Sequence, residues 1–435
     1  MAALPTRVRE SADGFMKLIR SFDRKDWLEV LFLTAVTVCG VLARIELFPH
    51  ESNDMTQFLL PWYEYLHDNG GFRAVGDEIG DYPPMYYYFL AALTYTNIPP
   101  MTGIKVFSCI FDVITAFYVK SILDINYRKT IRPIIGYAAA FMLPEVVLNS
   151  ASWGQCDGIF SCFVVITLYY FLKGKDIRAM IFYGIAVSFK LQAVFLMPFI
   201  IMMVIRKKIR IRSLCLIPAV FVLSVLPAAI AGGDLHRLLT IYTDQMGEYS
   251  ALNMSSPNIW TILDGVDPEM INSAGVYFAG GIVMILMYIC LFQDPHPEQL
   301  TVRGAIIMAA LSCFTVPLLL PHMHERYFYC ADLMILLASL CFAKRFWMLI
   351  AAQFSSVGAM CSYLFGKGAL DMRILLMFEL LVFVALIFCL RDEFRKPRGR
   401  EVVMHFEAKP EGKTEEAAAA EETAEPEEAP AAVTE

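Results

Sequence analysis

Charge is scarce in this sequence. Only 18% of its 435 residues are Asp, Glu, Lys or Arg, against 57% hydrophobic, whereas soluble domains carry about 25% charged residues. The apolar content is gathered into long runs, which suit lipid better than a soluble core. A bilayer core of ~30 Å takes about 20 apolar residues per helix, and many runs here approach or meet that length. A C-x-x-C pair is also lacking. Ten of the eleven cysteines, among them Cys39, Cys162, Cys313 and Cys389, lie in or beside apolar runs and read as small buried hydrophobes rather than a disulfide framework. Cys156 alone falls in an expected aqueous loop, and one thiol makes no bridge. A convincing cleavage site is absent too. The first apolar run starts at Trp27, after Arg20, Arg24 and Lys25, and continues to Val41 as a retained signal anchor.

What is present is a fold class: an all-α polytopic membrane protein. Apolar spans run near 27–47, 104–123, 133–148, 157–172, 178–189, 191–205, 213–231, 275–293, 303–320, 327–343, 346–365 and 372–390, about twelve crossings, some too short to span straight. Basic clusters at the N-terminus, Arg128/Lys129/Arg132, Lys173/Lys175/Arg178, Arg206 to Arg212, Lys344/Arg345 and Arg391 to Arg400 face the cytoplasm by the positive-inside rule, with both termini cytoplasmic. Counting Pro83 to Ile98 as a crossing would put the basic loop 124–132 outside, so that segment is expected to lie at the interface or re-enter, anchored by Tyr86, Tyr87 and Tyr88. The chain divides into a cytoplasmic segment 1–26, a membrane body 27–390 with outer loops 48–103, 149–157, 232–274 and 321–326, and an acidic tail 391–435. Residues 401–435 hold eleven Glu against two Lys, −9 of the net −7, which leaves +2 for residues 1–400. The tail, rich in Glu, Ala and Pro, has too little apolar area to fold and is expected to be disordered.

Nearly all the unusual polar residues fall in the outer loops. Asp54 stands ahead of an amphipathic stretch, where a carboxylate first suits a helix N-terminus as a cap and also suits a shielded general base. Trp62 and Tyr63 fit either a sugar face or an interfacial anchor. Asp81-Tyr82-Pro83-Pro84 is a rigid turn in which Asp81 caps the next helix or supports a site. In Asn149 to Asp157, Trp153 beside Gln155 and Asp157 fits a carbohydrate contact, while Asp157 fits a helix cap. Lys190, followed by Gln192, interrupts two apolar helices and needs water or an anion, such as a lipid phosphate. Pro321 to Tyr327 is the densest polar cluster. His322, His324 and Glu325 make a weak case for a divalent metal and no cofactor is clearly implied. Arg326 with His324 makes a better phosphate clamp, since Arg offers paired donors.

In order along the chain, Asp54…Pro61-Trp62-Tyr63, Asp81-Tyr82-Pro83-Pro84, Trp153-Gly154-Gln155-Cys156-Asp157, Phe189-Lys190-Leu191-Gln192 and His322-Met323-His324-Glu325-Arg326 resemble the GT-C glycosyltransferases, in particular bacterial membrane proteins related to the second mannosyltransferase of GPI-anchor synthesis. Asp81 to Pro84, Phe189 to Gln192, Asn258-Ile259-Trp260 and His322 to Arg326 are also similar to the dolichyl-phosphate-glucose-dependent glucosyltransferases. The resemblance covers roughly residues 27–390. It implies an inverting transfer of a hexose, mannose first, from a polyprenyl-phosphate donor to a hydroxyl of a lipid-linked glycan, glycolipid or protein, in a bacterial-type cell membrane and without nucleic acid. It makes Asp54 the base and Lys190, His324 and Arg326 the donor-phosphate group. Two departures stand out: Met55, Thr56 and Gln57 follow Asp54 where some relatives have a second acid, leaving Glu51 as a substitute, and Arg326 replaces a lysine of the glucosyltransferase pattern. A transporter or flippase of polar or lipid-linked substrates, or a sugar-binding scaffold, also fits many helices with a polar outer face. Transport sites, however, gather near the midplane rather than on one face.

Overall fold

Inside lipid a backbone must satisfy its N–H and C=O groups within the protein, in a helix or a closed barrel, and long unbroken apolar runs such as these suit the helix. The computed structural model describes residues 23–245, 251–263, 267–366 and 370–395. Among them seven helices are long and apolar enough to cross a bilayer: Arg24–Leu47, Pro100–Tyr127, Ile211–Ile230, Met270–Phe292, Val302–Leu319, Ala343–Phe365 and Met372–Arg395. An eighth is broken. Arg132–Met142 and Pro144–Trp153 meet at 41° where Pro144 lacks an amide donor. Asp157–Leu172, Asp176–Phe189, Leu191–Ile205 and Tyr329–Cys341 are shorter. All twelve expected runs are therefore helical, but a count of twelve full-length crossings overstates their reach.

Protein rather than lipid surrounds one of them. The Val302–Leu319 segment is 94% buried, which explains a helix that is apolar on every side. It packs against Tyr329–Cys341 and Met372–Arg395. Ion pairs Arg303–Glu393 (3.0 Å) and Arg345–Asp392 (2.7 Å) tie helix ends together at its start, while the 321–326 loop follows its end. Eighteen residues of helix separate the two by about 27 Å, nearly a bilayer core.

Several boundaries and contacts correct the sequence reading. The first helix begins at Arg24, because Asp23 accepts from the Lys25 and Asp26 amides and Asp26 returns a bond to the Asp23 amide. The last runs to Arg395, past the expected start of the tail at 391; residues 1–22 and 396–435 lie outside the described residues. Helix Pro84–Leu93 has 10 residues, about 15 Å, too short to cross alone. Its tyrosines are not headgroup anchors. Tyr86 and Tyr87 are buried, and the Tyr88 hydroxyl donates to Ser224 O (2.8 Å) and accepts from the Ala228 amide (3.0 Å). Cys156 is also buried, whereas Cys39 and Cys215 are exposed on the outer surface of the bundle.

Buried polar contacts fix the loops that matter. Arg44 donates through Nε (3.0 Å) and Nη2 (2.8 Å) to one oxygen of Asp112, and Ser150 donates to the same oxygen at 2.6 Å. Helices Arg24–Leu47 and Pro100–Tyr127 are thereby locked to the π-helical turn Leu148–Trp153. Lys105 reaches up to the carbonyls of Phe48 and His50, holding the first outer loop at its root. On the far side, strand Asn253–Met254 pairs in parallel with Met323–His324 and joins the two later loops.

Candidate active site

The first loop delivers Asp54 to the interior. Ser52 Oγ donates to Trp153 O (2.9 Å) and accepts from the Met55 amide (3.2 Å), stitching the loop onto the Leu148–Trp153 turn. Asp54 then occupies the N-cap position of the π-helical turn Met55–Leu59, yet its side chain makes no capping bond. The carboxylate is 6% exposed and accepts instead from Gln155 Nε2 and from the Tyr363 hydroxyl. The helix-cap reading of Asp54 is therefore not the one the fold uses.

Asp157 makes a second focus. Cys156, not Asp157, is the N-cap of helix Asp157–Leu172, and the Asp157 carboxylate accepts from Lys190 Nζ (2.6 Å) on one oxygen and Asn149 Nδ2 (3.0 Å) on the other. Arg326 spans the gap between the two acids: Nε lies 3.4 Å from Asp157 and Nη1 3.9 Å from Asp54, with Nη1 also donating to Glu325 at 2.9 Å. Lys190, expected to seek a lipid phosphate, thus has an acid of its own chain as partner. Tyr82 donates to Gln155 (3.3 Å), and the Lys190 ammonium lies 5.8 Å from the rings of both Tyr82 and Tyr327. Six separate stretches of sequence, at Asp54, Tyr82, 149–157, Lys190, 325–327 and Tyr363, meet here.

Burial sets the charges. Desolvation pushes the Asp81 carboxyl up from its ordinary value, against the pull of Lys190 and Arg326, and Asp54 adds to the rise. Asp81 therefore shares the field of the cluster and does not cap the next helix, whose N-cap is Pro83. Burial also lowers the His324 imidazole, outweighing Glu325 at 3.8 Å. Burial thus favours the uncharged imidazole, which weakens the expected clamp. Glu325 sits low: burial would raise it, but His324 and Arg326 outweigh that. Burial likewise opposes the Arg326 charge, yet Glu325, Asp157 and Asp54 hold its pKa well above the usual value.

The other expected residues divide. Trp62 packs against Tyr82 and Tyr87 (ring centroids 5.0 and 5.5 Å) beside Gly80, whose added Cβ would lie 2.5 Å from the indole nitrogen. Trp153 is fully buried, stacked on Tyr363 at 4.9 Å with Arg326 5.2 Å from its ring, so it offers no open face to a sugar. Gln192 lies against Tyr327. Tyr63 stacks on His67 instead of joining the cluster. Asn258 donates to Leu320 O (3.1 Å) and Trp260 Nε1 to Leu319 O (2.8 Å), support contacts that cap helix Val302–Leu319. His322 adopts φ 60° and is tied to Ala251 and Leu252, away from the acids. Glu51 is exposed. Among the described residues no group of three or more His, Cys, Asp and Glu is arranged to hold a metal ion.

The sequence reading missed Tyr363 and gave Asn149 no role. Tyr363 ends an apolar span and has no motif around it; only a hydroxyl near the end of helix Trp347–Phe365 marked it. With the geometry in place, the family model of glycosyltransferase family 87 matches residues 81–341. The chain belongs to that family. GPI mannosyltransferase 1 of Dictyostelium discoideum is 25% identical over 165 residues, 36% of this glycosyltransferase and 37% of that relative. The match thus spans little more than a third of the relative, and its name is that of the first GPI mannosyltransferase where the motifs pointed to the second. The stretch matched to family 87 contains Asp81, Asp157, Lys190 and Arg326; Asp54 and Tyr363 lie outside it.

Proposed function

We propose that this integral membrane glycosyltransferase moves a hexose, mannose first, from a polyprenyl-phosphate donor to an acceptor hydroxyl on the extracytoplasmic face, with inversion at C1. The observation that carries the reading is Arg326, 3.9 Å from Asp54 and 3.4 Å from Asp157 while Lys190 lies 2.6 Å from the latter: two acids and two cations converge at one end of the bundle. In the reaction the acceptor oxygen attacks C1 from the face opposite the phosphate and gives its proton to Asp54. The C1–O bond breaks with its electrons passing to the phosphate, which gains a negative charge beside Arg326 and Lys190. Cations that meet charge formed only as the bond breaks favour the transition state over the bound donor. His324, neutral, contributes a hydrogen bond, and Tyr82, Gln155, Asn149 and Glu325 hold the charged groups in place.

The membrane body 27–390 forms the catalytic unit under this reading, in a bacterial-type cell membrane with both termini cytoplasmic. A lipid-linked glycan, glycolipid or protein supplies the acceptor. The test is sugar transfer from a panel of synthetic polyprenyl-phosphate hexoses to membrane extracts. Asp54→Asn, expressed at normal level, is expected to lose about 10²–10⁴-fold in rate. Unchanged transfer by that variant would sink the base assignment, and preference for a glucosyl donor would overturn mannose.

A further inference from the structure

Beside the buried cluster lies an open cavity of about 600 Å³ whose lining has the opposite chemistry. Glu78, Ile79, Gly80 and Asp81 form one wall; Arg237, Ile241, Asp244 and Gln245 of helix Leu235–Gln245 form the other. Three carboxylates face one guanidinium, and that guanidinium is engaged: Arg237 donates to Gly76 O (2.8 Å) and lies 3.3 Å from Glu78. The walls are fixed to one another. Gln245 donates to the Asp81 carbonyl, and the backbones of Gly76 and Gly233 touch so closely that a Cβ on Gly76 would sit 2.5 Å from the Gly233 nitrogen. Asp81 belongs to both places. It lines the cavity, and its carboxyl feels Lys190, Arg326 and Asp54.

Charge therefore sorts ligands at this end of the molecule. A phosphate is attracted to Lys190 and Arg326 but repelled by a rim of Glu78, Asp81 and Asp244. Carboxylates accept paired hydrogen bonds from neighbouring hydroxyls, and the apolar Ile79 and Ile241 suit the C–H face of a sugar ring. We infer that the cavity between residues 78–81 and helix Leu235–Gln245 is the acceptor subsite, and that it takes an uncharged, hydroxyl-rich sugar whose attacking oxygen passes Asp81 to reach Asp54. The inference rests on the transferase reading but is tested by binding, so the two can fail separately.

The probe is octyl α-mannoside, with octyl glucuronide as its anionic counterpart, titrated against the full chain in nanodiscs and followed by tryptophan fluorescence, since Trp62 packs on Gly80 in the cavity wall. The neutral glycoside is expected to bind about tenfold more tightly than the glucuronide. In the Glu78→Gln/Asp244→Asn double variant that preference should collapse, mannoside weakening and glucuronide strengthening. No saturable mannoside binding, equal affinity for the two glycosides in the wild type, or a preference that survives in the double variant would each overturn the assignment. Absence of any sugar release from every polyprenyl-phosphate donor, with selective mannoside binding intact, would instead count against the transferase reading alone.

Discussion

Arg326 holds two acids with one planar group, which a lysine cannot imitate. Its guanidinium presents donors along more than one edge, whereas an ammonium is a single point of charge. Arg326→Lys should therefore keep the chain folded and lower transfer by about tenfold or more, mostly in kcat, as measured with saturating donor. Tyr363 acts more mildly. Removing its hydroxyl takes one hydrogen bond from Asp54, so Tyr363→Phe should cost roughly 0.5–1.5 kcal/mol, read as a thermal shift together with a fall in rate. His324 carries a pH signature. Because its folded pKa lies below the ordinary 6.5, the unfolded chain takes up the proton first, and stability falls as pH drops below that value. Glu325 behaves in the usual carboxylate sense, its contribution present above its ordinary 4.5 and lost only at lower pH, through its depressed folded value. Between pH 7.5 and 5, then, the melting temperature of wild type should decline more than that of His324→Gln; parallel curves would contradict a buried neutral imidazole. At this scale the sequence was legible in residue types and opaque in pairings. Asp54, Asp157, Lys190 and Arg326 stood out as polar groups between apolar runs, but nothing in their spacing says that Lys190 takes an oxygen of Asp157.

Elements were readable where backbone satisfaction forced them, and misread where neighbours did. Each of the twelve apolar runs is helical, since a continuous apolar segment in lipid satisfies its own backbone only as a helix, whereas barrel strands alternate apolar and polar residues. The tyrosines of Pro84–Leu93 went astray for a definite reason: aromatic residues at a membrane edge have the same composition whether they face headgroups or another helix. Short elements also carry weight here. Asn258 satisfies the carbonyl of Leu320 and accepts from the Trp260 amide, closing the free end of helix Val302–Leu319. Asn258→Ala should loosen the strand pair at Asn253–Met254 and the 321–326 loop with it. Faster amide exchange in those two segments, with helix Arg24–Leu47 unaffected, is the expected result.

For the molecule as a whole, stability depends on charges placed where lipid would not tolerate them. Arg44 and Asp112 are both buried, and each is tolerable only because of the other. Arg44→Met leaves a carboxylate without its cation and should cost about 3–5 kcal/mol, seen as loss of folded protein on detergent extraction. The paired variant Arg44→Met/Asp112→Leu should recover much of that. It should not recover full activity, because Ser150 would lose the acceptor that positions the turn behind Asp54. Arg44 was not legible in the sequence, since a lone charge in an apolar run has no visible partner until the chain folds.

The contact between Gly76 and Gly233 also fixes a dimension of the molecule. Two peptide planes butted together make a spacer with no rotamers, so the aperture beside them keeps its width whatever side chains line it. Substitutions at positions 78, 241 and 244 can then change which sugar is admitted without moving the jaw. Even alanine at either glycine would wedge that jaw open, costing every acceptor at once and not one in particular.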